Sequence, residues 1–384
     1  MNVTMNKRIS VIGAGFGAVT AIKMLRKHSP DVCITLIAPA PTLQYYPSLI
    51  WVPAKLRSRA DIMVNLKPLL ARLNVQYQPG RVVGVEAEGR RVMVEHDGVT
   101  SAVDNDGLII ASGGRFLKRL PGIEHAIAVC EGIDAAETIR DRLATMTGGT
   151  IALGFGTNPN EPSAVRGGPM FELLFGIDRL LRQQGRRDQF KLVFFNPSFR
   201  PGNRLGEAVV DHLLARMKKF DIQTQLGAKM VRFEADKIVT EASEFAADLI
   251  LFMPGMTGPA WLDNAPFPKS PGGMIRAEAT AQVAGFERVY VVGDSGSYPA
   301  PDWAPKQAHM ADLMAVVAAK NLRAEFAGKP ANETFAWELI CVMDMLDRAV
   351  VVFRNEKRQF ISPPCRLLHY GKRLFEWWYL RAIR

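Results

Sequence analysis

Cysteines, long apolar runs and low-complexity tracts are scarce in this sequence, and each scarcity excludes a class of protein. Four cysteines among 384 residues are too few for the disulfide framework of a small secreted domain. No apolar run reaches the ~18 residues that a membrane-spanning helix requires. Residues 1–8 lead directly into a strand pattern without a cleavage-site motif, so we expect no signal peptide.

Composition and charge indicate a globular protein. Apolar residues make up 48% and charged residues 22%, which excludes collagen, coiled-coil rods and disordered polyelectrolytes. At roughly 150 residues per domain, the length allows two or three domains. The 48 Lys and Arg exceed the 38 Asp and Glu by ten, but they form no basic and aromatic stripe, so we expect no nucleic-acid partner. The sequence also suggests no metal site.

The clearest motif follows the first β-branched run, residues 8–12. Gly13, Gly15 and Ala18 form a G-x-G-x-x-A turn that opens a helix, and a second strand pattern follows at residues 32–37. The first glycine permits the tight turn, the second lets the backbone approach a pyrophosphate, and the small third residue lets the helix pack on the sheet. This βαβ unit predicts a dinucleotide site with phosphates at the helix N-terminus. A tight turn without a ligand is the weaker interpretation.

A second α/β block begins near Gly149 and repeats the strand and glycine turn without the rest of a nucleotide site. Pro159 and Pro162 follow its glycine turn, and prolines in that loop prevent a helix from starting there. The next strand pattern ends in Asn196-Pro197, without an acid to hold a ribose. The block therefore lacks the NAD(P)H pattern, which argues against a soluble pyridine-nucleotide reductase.

The adenosine side of the first site also departs from the usual pattern. Ala38 stands at the end of the second strand, where an acid usually holds the ribose. Either the ribose is held in another way or no adenosine nucleotide binds. A later strand pattern, residues 289–292, ends in Gly293-Asp294 before a helix, which places an amide donor and a carboxylate near one end of a cofactor. A helix N-cap is the alternative role for Asp294.

The order of strands and helices predicts an α/β protein with two Rossmann-like dinucleotide-binding domains and a C-terminal amphipathic helical region. Residues 75–94 show the strands of a hairpin-like region, and residues 249–252 read as a buried strand. We predict a discontinuous first domain of residues 1–114 and 245–326, a second domain of residues 115–244, and a third region of residues 327–384.

Together these motifs resemble the sulfide:quinone oxidoreductases and flavocytochrome c sulfide dehydrogenases, a branch of the flavoproteins with two dinucleotide folds. The likeness covers nearly the whole chain. It rests on residues 13–15, 43–48 with Trp51, 109–114, Gly168-Pro169 with Glu172, Gly293-Asp294, 304–306, Trp337, Cys341, Asp344, Asp347, Arg348 and 369–376.

The resemblance implies that the first domain holds FAD. Asp294 would meet the ribityl chain and Pro47 would face the isoalloxazine. Lys306 would begin a helix that points at the pyrimidine edge, where a positive charge stabilises the anionic reduced flavin. The expected cofactor-binding residues are Gly13, Gly15, Ala18, Pro47, Ser112, Gly113, Gly293, Asp294 and Lys306.

The resemblance also implies a catalytic set, but with one departure from the family. The family oxidises sulfide with two cysteines that form a bridge beside the flavin. Cys341 occupies the later position, whereas Arg166 stands at the earlier one. Cys130 aligns with a third family cysteine, which contributes in some members to sulfide handling or flavin attachment. The expected catalytic residues are Cys341, Cys130, Glu172 and Lys306, with Glu172 as a proton shuttle or, alternatively, a first-turn helix acid.

Three interpretations of the cysteines stay open. Cys341 acts alone as a thiolate or persulfide nucleophile, helped by the charge of Arg166; Cys341 pairs with Cys130; or the protein takes electrons from a donor other than sulfide. Cys33, in the second strand, and Cys365 receive no role.

The segment 366–384 reads as a basic amphipathic helix. Its apolar residues Leu367, Leu374, Phe375 and Trp378 recur at helical spacing, and a basic helix rich in Trp and Tyr is typical of an interfacial membrane anchor. A helix docked on its own domain is the alternative.

We therefore expect a peripheral membrane flavoprotein that passes two electrons from a reduced sulfur compound through FAD to quinone. The rivals are a single-subunit NADH:quinone reductase and a flavin-binding sensor or electron-transfer protein; a homo-oligomer stays open.

Overall fold

The computed structural model describes residues 7–384. The expectation about a signal peptide falls mainly on residues 1–6, outside the described residues. Among the residues that are described, no helix is both long enough and apolar enough to cross a membrane.

The first of two parallel sheets holds the glycine turn. Its central strand is followed by Gly13, and every neighbouring pair of strands runs parallel. In spatial order the five strands are Val289–Val291, Gly107–Ile110, Arg8–Ile12, Cys33–Ala38 and Val75–Pro79. The predicted hairpin-like region is therefore wrong for its first strand, which lies parallel to the second strand at the sheet edge. It is confirmed for the strands Arg81–Glu86 and Arg91–His96, which pair antiparallel.

The second parallel sheet also has five strands. In spatial order they are Ala126–Ile127, Leu249–Met253, Gly149–Phe155, Phe190–Asn196 and Ile222–Leu226. The strand Leu249–Met253 pairs with Gly149–Phe155 over its whole length. The domain boundary expected at residue 245 is therefore too early, because this apolar strand completes the second sheet before the chain returns to the first.

The chain crosses between the two sheets twice, and the two crossings lie side by side. Arg115–Phe116 leaves the first half and Met256–Thr257 returns to it, and the two segments pair antiparallel.

Eight α-helices cover the sheets and the C-terminus of the described chain. They are α1 (Phe16–His28), α2 (Arg59–Ile62), α3 (Lys67–Arg72), α4 (Ile133–Thr145), α5 (Gly168–Gln183), α6 (Glu207–Lys219), α7 (Ala308–Phe326) and α8 (Arg366–Arg381). Short 3₁₀ segments lie at Tyr46–Trp51, Ala87–Gly89, Ile123–His125, Val129–Glu131, Arg187–Gln189, Asn203–Leu205, Ala260–Asn264 and Gly293–Ser295. Helix α1 buries Ile22 and Leu25 and packs against α7. Helix α5 starts only at Gly168, as expected from the prolines before it.

Antiparallel strands make the remaining sheets. Two of them are three-stranded extensions of the two halves, Arg81–Glu86 with Arg91–His96 and Val99–Asp104, and Met230–Phe233 with Lys237–Thr240 and Glu244–Ala246. Two-stranded pairs join Thr42–Gln44 to Met63–Asn65 and Ile275–Arg276 to Gly296–Ser297. The C-terminal region contains Glu338–Asp344, Ala349–Asn355 and Gln359–Ile361, followed by α8. A sheet in this region was not predicted.

Candidate active site

The glycine turn has the geometry that a bound pyrophosphate requires. Gly13 has a φ of +107°, and a Cβ there would lie 2.3 Å from the carbonyl oxygen of Ala111. A Cβ on Gly15 would meet no atom within 4 Å, so the backbone there borders open space in front of the first turn of α1. A Cβ on Gly17 would lie 2.8 Å from Val292. The close packing of α1 on the sheet therefore involves Gly17 as well as the buried Ala18. Gly17 was not predicted from the sequence, because the motif assigns this packing contact to its last position, Ala18.

Two alanine substitutions should separate folding from cofactor binding at this turn. Gly13→Ala should lower the unfolding midpoint and the flavin content together, because its Cβ meets main-chain atoms and its φ is unfavourable for alanine. Gly15→Ala should keep the unfolding midpoint of the flavin-free protein and still reduce flavin content, because its Cβ fills only the open space. Thermal unfolding and flavin absorbance per protein measure the two effects. Full flavin content in Gly15→Ala would contradict this assignment of the turn.

The expected residues at the ends of neighbouring strands come together at one edge of the first sheet. The Ser295 hydroxyl donates to the carbonyl oxygen of Gly113 at 2.9 Å and lies 3.4 Å from the Ser112 hydroxyl. Gly293, in turn, has a φ of +69°. These contacts join the strand ends at residues 110 and 291 beside the glycine turn, so the structure brings these predicted residues together.

Asp294 forms an ion pair with Arg166, the residue that replaces a family cysteine. The Arg166 guanidinium also lies over the Tyr46 ring, 5.7 Å from its centroid, immediately before Pro47. The buried Cys130 thiol is also near the guanidinium: burial raises the pKa of this thiol, and Arg166 opposes the rise. Arg166 therefore links the end of the first sheet to Cys130.

Lys306 lies beside Asp294, just before helix α7. Its Nζ donates to the carbonyl oxygen of Gly296 at 2.7 Å. Burial lowers the pKa of Lys306, and the Asp294 carboxylate partly offsets this. The helix begins at Ala308 rather than at Lys306, so the lysine precedes the helix, and it lines a cleft together with Asp294.

Cys341 lies in different surroundings from Cys130. It is near Gly168 at the start of α5, whose Cβ position is 3.7 Å from its Sγ. Burial, with a smaller contribution from Glu172, raises the pKa of Cys341 to about 12. All four cysteines of the chain are free thiols, and Cys33 is exposed rather than buried.

These surroundings correct one interpretation of the cysteines. Arg166 was expected to support Cys341 as a thiolate, but it lies against Cys130, and the charged groups near Cys341 are Glu172 and Lys372. At neutral pH a thiol with a pKa of about 12 is protonated. Pairing of the two cysteines is not seen, since both are unbonded.

Glu172 anchors a buried polar network on α5. Its Oε2 accepts hydrogen bonds from Lys372 Nζ on α8 and, at 3.0 Å, from the backbone N–H of Asp344. Lys372 also donates to the carbonyl oxygen of Val342 at 2.9 Å. Burial raises the pKa of Glu172, while Lys372 opposes the rise. A carboxyl group whose pKa is raised by burial holds a proton more readily than an exposed one, which suits a group that takes up and returns a proton.

The network continues from Asp344 along α8. Asp344 is fully buried and accepts from Trp51 Nε1 at 3.0 Å and pairs with His369 Nδ1 at 2.7 Å. One turn after Lys372, the Glu376 carboxylate accepts hydrogen bonds from Nε and Nη2 of Arg57. His369, Lys372 and Glu376 therefore form a polar inner face on α8.

The outer face of α8 is apolar. Leu367, Leu374, Phe375, Trp377 and Trp378 are all more than half exposed. The helix is therefore docked on its own protein by charge pairs, by the buried Leu380 and by Tyr379, which packs on Phe16, and it leaves its apolar side uncovered in this chain. The docking of this helix on its own domain is therefore confirmed, and the membrane anchor stays a prediction.

The loop after the second glycine turn docks on the first half. Asn158 Nδ2 donates to the carbonyl oxygens of Met256 and Gly272 at 2.8 and 3.0 Å. The buried Glu161 accepts from Ser163, Ser270 and Ser297 hydroxyls at 2.6 to 3.2 Å. The loop after the second glycine turn is thus fixed to the first half by buried polar contacts.

Comparison with known proteins decides the family. The pyridine nucleotide-disulphide oxidoreductase family matches residues 7–315. The chain belongs to this family. It is an FAD-dependent oxidoreductase, and the expected resemblance to sulfide:quinone oxidoreductases is confirmed.

Relatives agree with this membership. The sulfide-quinone reductase of Aquifex aeolicus is 23% identical, with 99% of this chain and 92% of the relative covered. The X-ray structure of the sulfide:quinone oxidoreductase from that organism matches with a TM-score of 0.88 at 21% identity, over 98% and 91% of the two chains. NDH2 from Plasmodium falciparum, in complex with NADH, matches with a TM-score of 0.76 at 12% identity, over 96% and 94%. At these identities the structures show a shared fold.

The residues of this oxidoreductase fit FAD. The open space at Gly15 and the strained Gly13 suit a pyrophosphate. Asp294 and Lys306 border one further cleft, which Met310, Met314 and Trp337 also line. The carboxylate suits a polyol chain, and the lysine suits an electron-rich ring edge.

Proposed function

We propose that this oxidoreductase takes two electrons from a small reduced sulfur compound and delivers them to a quinone at a membrane surface. Residues 8–110 with 289–326 would hold FAD, and residues 327–384 would form the quinone and membrane region. When bound, FAD accepts an electron pair from one substrate and returns it to another.

The course of α8 is the observation that carries the proposal. Its inner face joins Lys372 to Glu172 next to Cys341, and its outer face is apolar and aromatic. One helix thus connects the surroundings of Cys341 to a surface suited to lipid. A quinone needs both an apolar route and a proton source, and Glu172 with Lys372 would hold that proton.

An aromatic wall near Lys306 supports quinone access from the C-terminal region. Tyr298, Phe335 and Trp337 pack together with ring centroids 5.3 to 6.2 Å apart. Trp337 lines the same cleft as Lys306 and Met310. Aromatic and thioether side chains suit a flat, apolar ring.

NADH:quinone reduction is the rival function, since the NDH2 of Plasmodium falciparum shares the fold. The loop tied down by Asn158 and Glu161 argues against it. Stopped-flow absorbance of the flavin, first with sulfide and then with NADH, tests both. Rapid bleaching by sulfide supports the proposal, bleaching by NADH alone supports the rival, and bleaching by neither points to another donor.

Cys341→Ser should abolish sulfide-driven flavin reduction, because it removes the sulfur beside Glu172 while keeping a side chain of similar size. The measurement is the rate of flavin bleaching after mixing with sulfide. Cys365→Ser is the matched control, since Cys365 precedes α8 outside the cleft and its replacement should leave the rate unchanged. A wild-type rate in Cys341→Ser would remove Cys341 from the mechanism.

A further inference from the structure

The last turns of α8 dock on the half of the molecule that carries the glycine turn. Arg384 Nη2 donates to the carbonyl oxygen of Asp61 at 2.8 Å, and Leu380 and Ile383 are buried in the same core as α1. These contacts are separate from the ion pair with Glu172, which holds an earlier turn of the helix. Helix α8 therefore reaches from the buried polar network to the first half of the molecule.

Three aromatic rings meet where α8 approaches the start of α1, and we call them the aromatic cluster: Phe16, Tyr45 and Tyr379. The Tyr379 ring centroid lies 5.5 Å from that of Phe16 and 5.7 Å from that of Tyr45, and Phe16 and Tyr45 are 5.6 Å apart. Centroid distances in this range are those of aromatic pairs that attract each other. Phe16 and Tyr45 are buried, so Tyr379 is the member that α8 contributes to a buried cluster.

Phe16 and Tyr45 adjoin two segments on which the cofactor site depends. Phe16 is the first residue of α1 and directly follows Gly15, whose backbone borders the open space suited to a pyrophosphate. Tyr45 directly precedes the 3₁₀ segment Tyr46–Trp51, which contains Pro47, the residue expected to face the isoalloxazine. A ring that packs on both Phe16 and Tyr45 therefore helps to fix the phosphate end of the site relative to the ring end.

The start of α1 is also held from the side of α7. Thr20, one turn after Phe16, donates to Asp312 of α7 at 2.6 Å. Burial raises the pKa of Asp312, and the hydrogen bond from Thr20 opposes the rise. The first turns of α1 thus have two supports, a hydrogen bond to α7 and the Tyr379 ring, and the second of these comes from the C-terminal helix.

We infer that Tyr379 is a positioning residue for the cofactor: its ring holds the start of α1 and the segment before Pro47 in the arrangement that retains FAD. The docked α8 is thereby part of the support of the flavin site, and loss of this contact speeds the release of flavin. The inference concerns retention of the cofactor and is independent of which compound donates the electrons.

The rate at which the oxidised holoenzyme releases flavin on dilution into flavin-free buffer tests the role of Tyr379, and the rise of flavin fluorescence measures it. Tyr379→Leu keeps an apolar side chain but removes the ring, so it should speed release by roughly tenfold or more, as expected for loss of two aromatic contacts. Phe16→Leu breaks the same contact from the side of α1 and should also speed release. Tyr379→Phe keeps the ring and should release flavin at the wild-type rate.

Two residues of the same helix provide matched controls. Tyr370 is 60% exposed, so Tyr370→Leu should leave the release rate unchanged. Leu380 is buried next to Tyr379, and Leu380→Ala, which loosens α8 without removing the ring, should speed release less than Tyr379→Leu does. Wild-type release in Tyr379→Leu or in Phe16→Leu would overturn the inference, as would an equal acceleration in Tyr379→Phe or in either control. The result for Phe16→Leu decides the inference even where Tyr379→Leu does not fold.

Discussion

Lys372→Met should lower the free energy of unfolding by roughly 3–5 kcal/mol, the usual cost of leaving one member of a buried ion pair without its partner. Lys372 and Glu172 are both nearly buried, with 12% and 8% of their side chains exposed. Removing the ammonium leaves the Glu172 carboxylate on α5 with only the Asp344 N–H as a donor among its described contacts. Chemical denaturation followed by circular dichroism measures the change.

The loss should depend on pH in a defined direction. Burial already raises the pKa of Glu172 above its ordinary 4.5, and Lys372 restrains that rise. Without the lysine the folded-state pKa lies higher still, so the folded protein binds the proton more tightly than the unfolded chain does. The variant should therefore approach wild-type stability as the pH falls toward the unfolded value and lose stability as the pH rises through the folded one.

Two further variants test the cause of this loss. Adding Glu172→Gln to Lys372→Met should recover most of the stability, because it removes the stranded charge and keeps an acceptor for Asp344. Lys320→Met, which removes a lysine from an exposed pair with Glu333, should change stability by less than about 1 kcal/mol. A Lys372→Met variant as stable as the Lys320→Met control would show that the buried pair contributes little.

Replacing Phe375, Trp377 and Trp378 together by serine should reduce membrane partitioning on the order of 10³-fold. Each of these side chains is 55–60% exposed, and burying a large apolar side chain contributes about 1.5–3 kcal/mol. The polar inner face of α8 is unchanged in this variant, so the fold should be retained. Sedimentation with vesicles measures partitioning, and reduction of a water-soluble quinone checks that the enzyme is intact.

Three exposed apolar residues away from α8 provide the control. Val99, Phe199 and Phe360 are each more than half exposed, and their replacement by serine should leave sedimentation unchanged. If the α8 variant sediments like the wild type, the apolar face of α8 is not the anchor.

Local motifs were predicted well from the sequence. The strand Arg8–Ile12, the glycine turn and α1 follow from residues within about thirty positions of one another, because turn chemistry and periodicity act locally. The late start of α5 likewise follows from Pro159 and Pro162. The second α/β block and its missing nucleotide pattern were predicted for the same reason.

Long-range pairings were not predicted. The residue pattern of Val75–Pro79 or of Leu249–Met253 predicts a strand but does not show which sheet the strand joins. That is decided by the partner strands, which lie far away in the sequence. The Arg166–Asp294 ion pair spans 128 positions, so no local pattern signals it. The docked face of α8 was recognisable in part, since His369, Lys372 and Glu376 recur on one side of the helix.

The paired crossings at Arg115–Phe116 and Met256–Thr257 limit how the two halves move. The two crossing segments lie side by side and are hydrogen-bonded to each other, so they form a single connection between the halves. The hydrogen bonds of Glu161 to three serines join the halves at a second place. We therefore expect the two halves to keep one relative orientation, so that reactants exchange through local side-chain motion or displacement of the last helix.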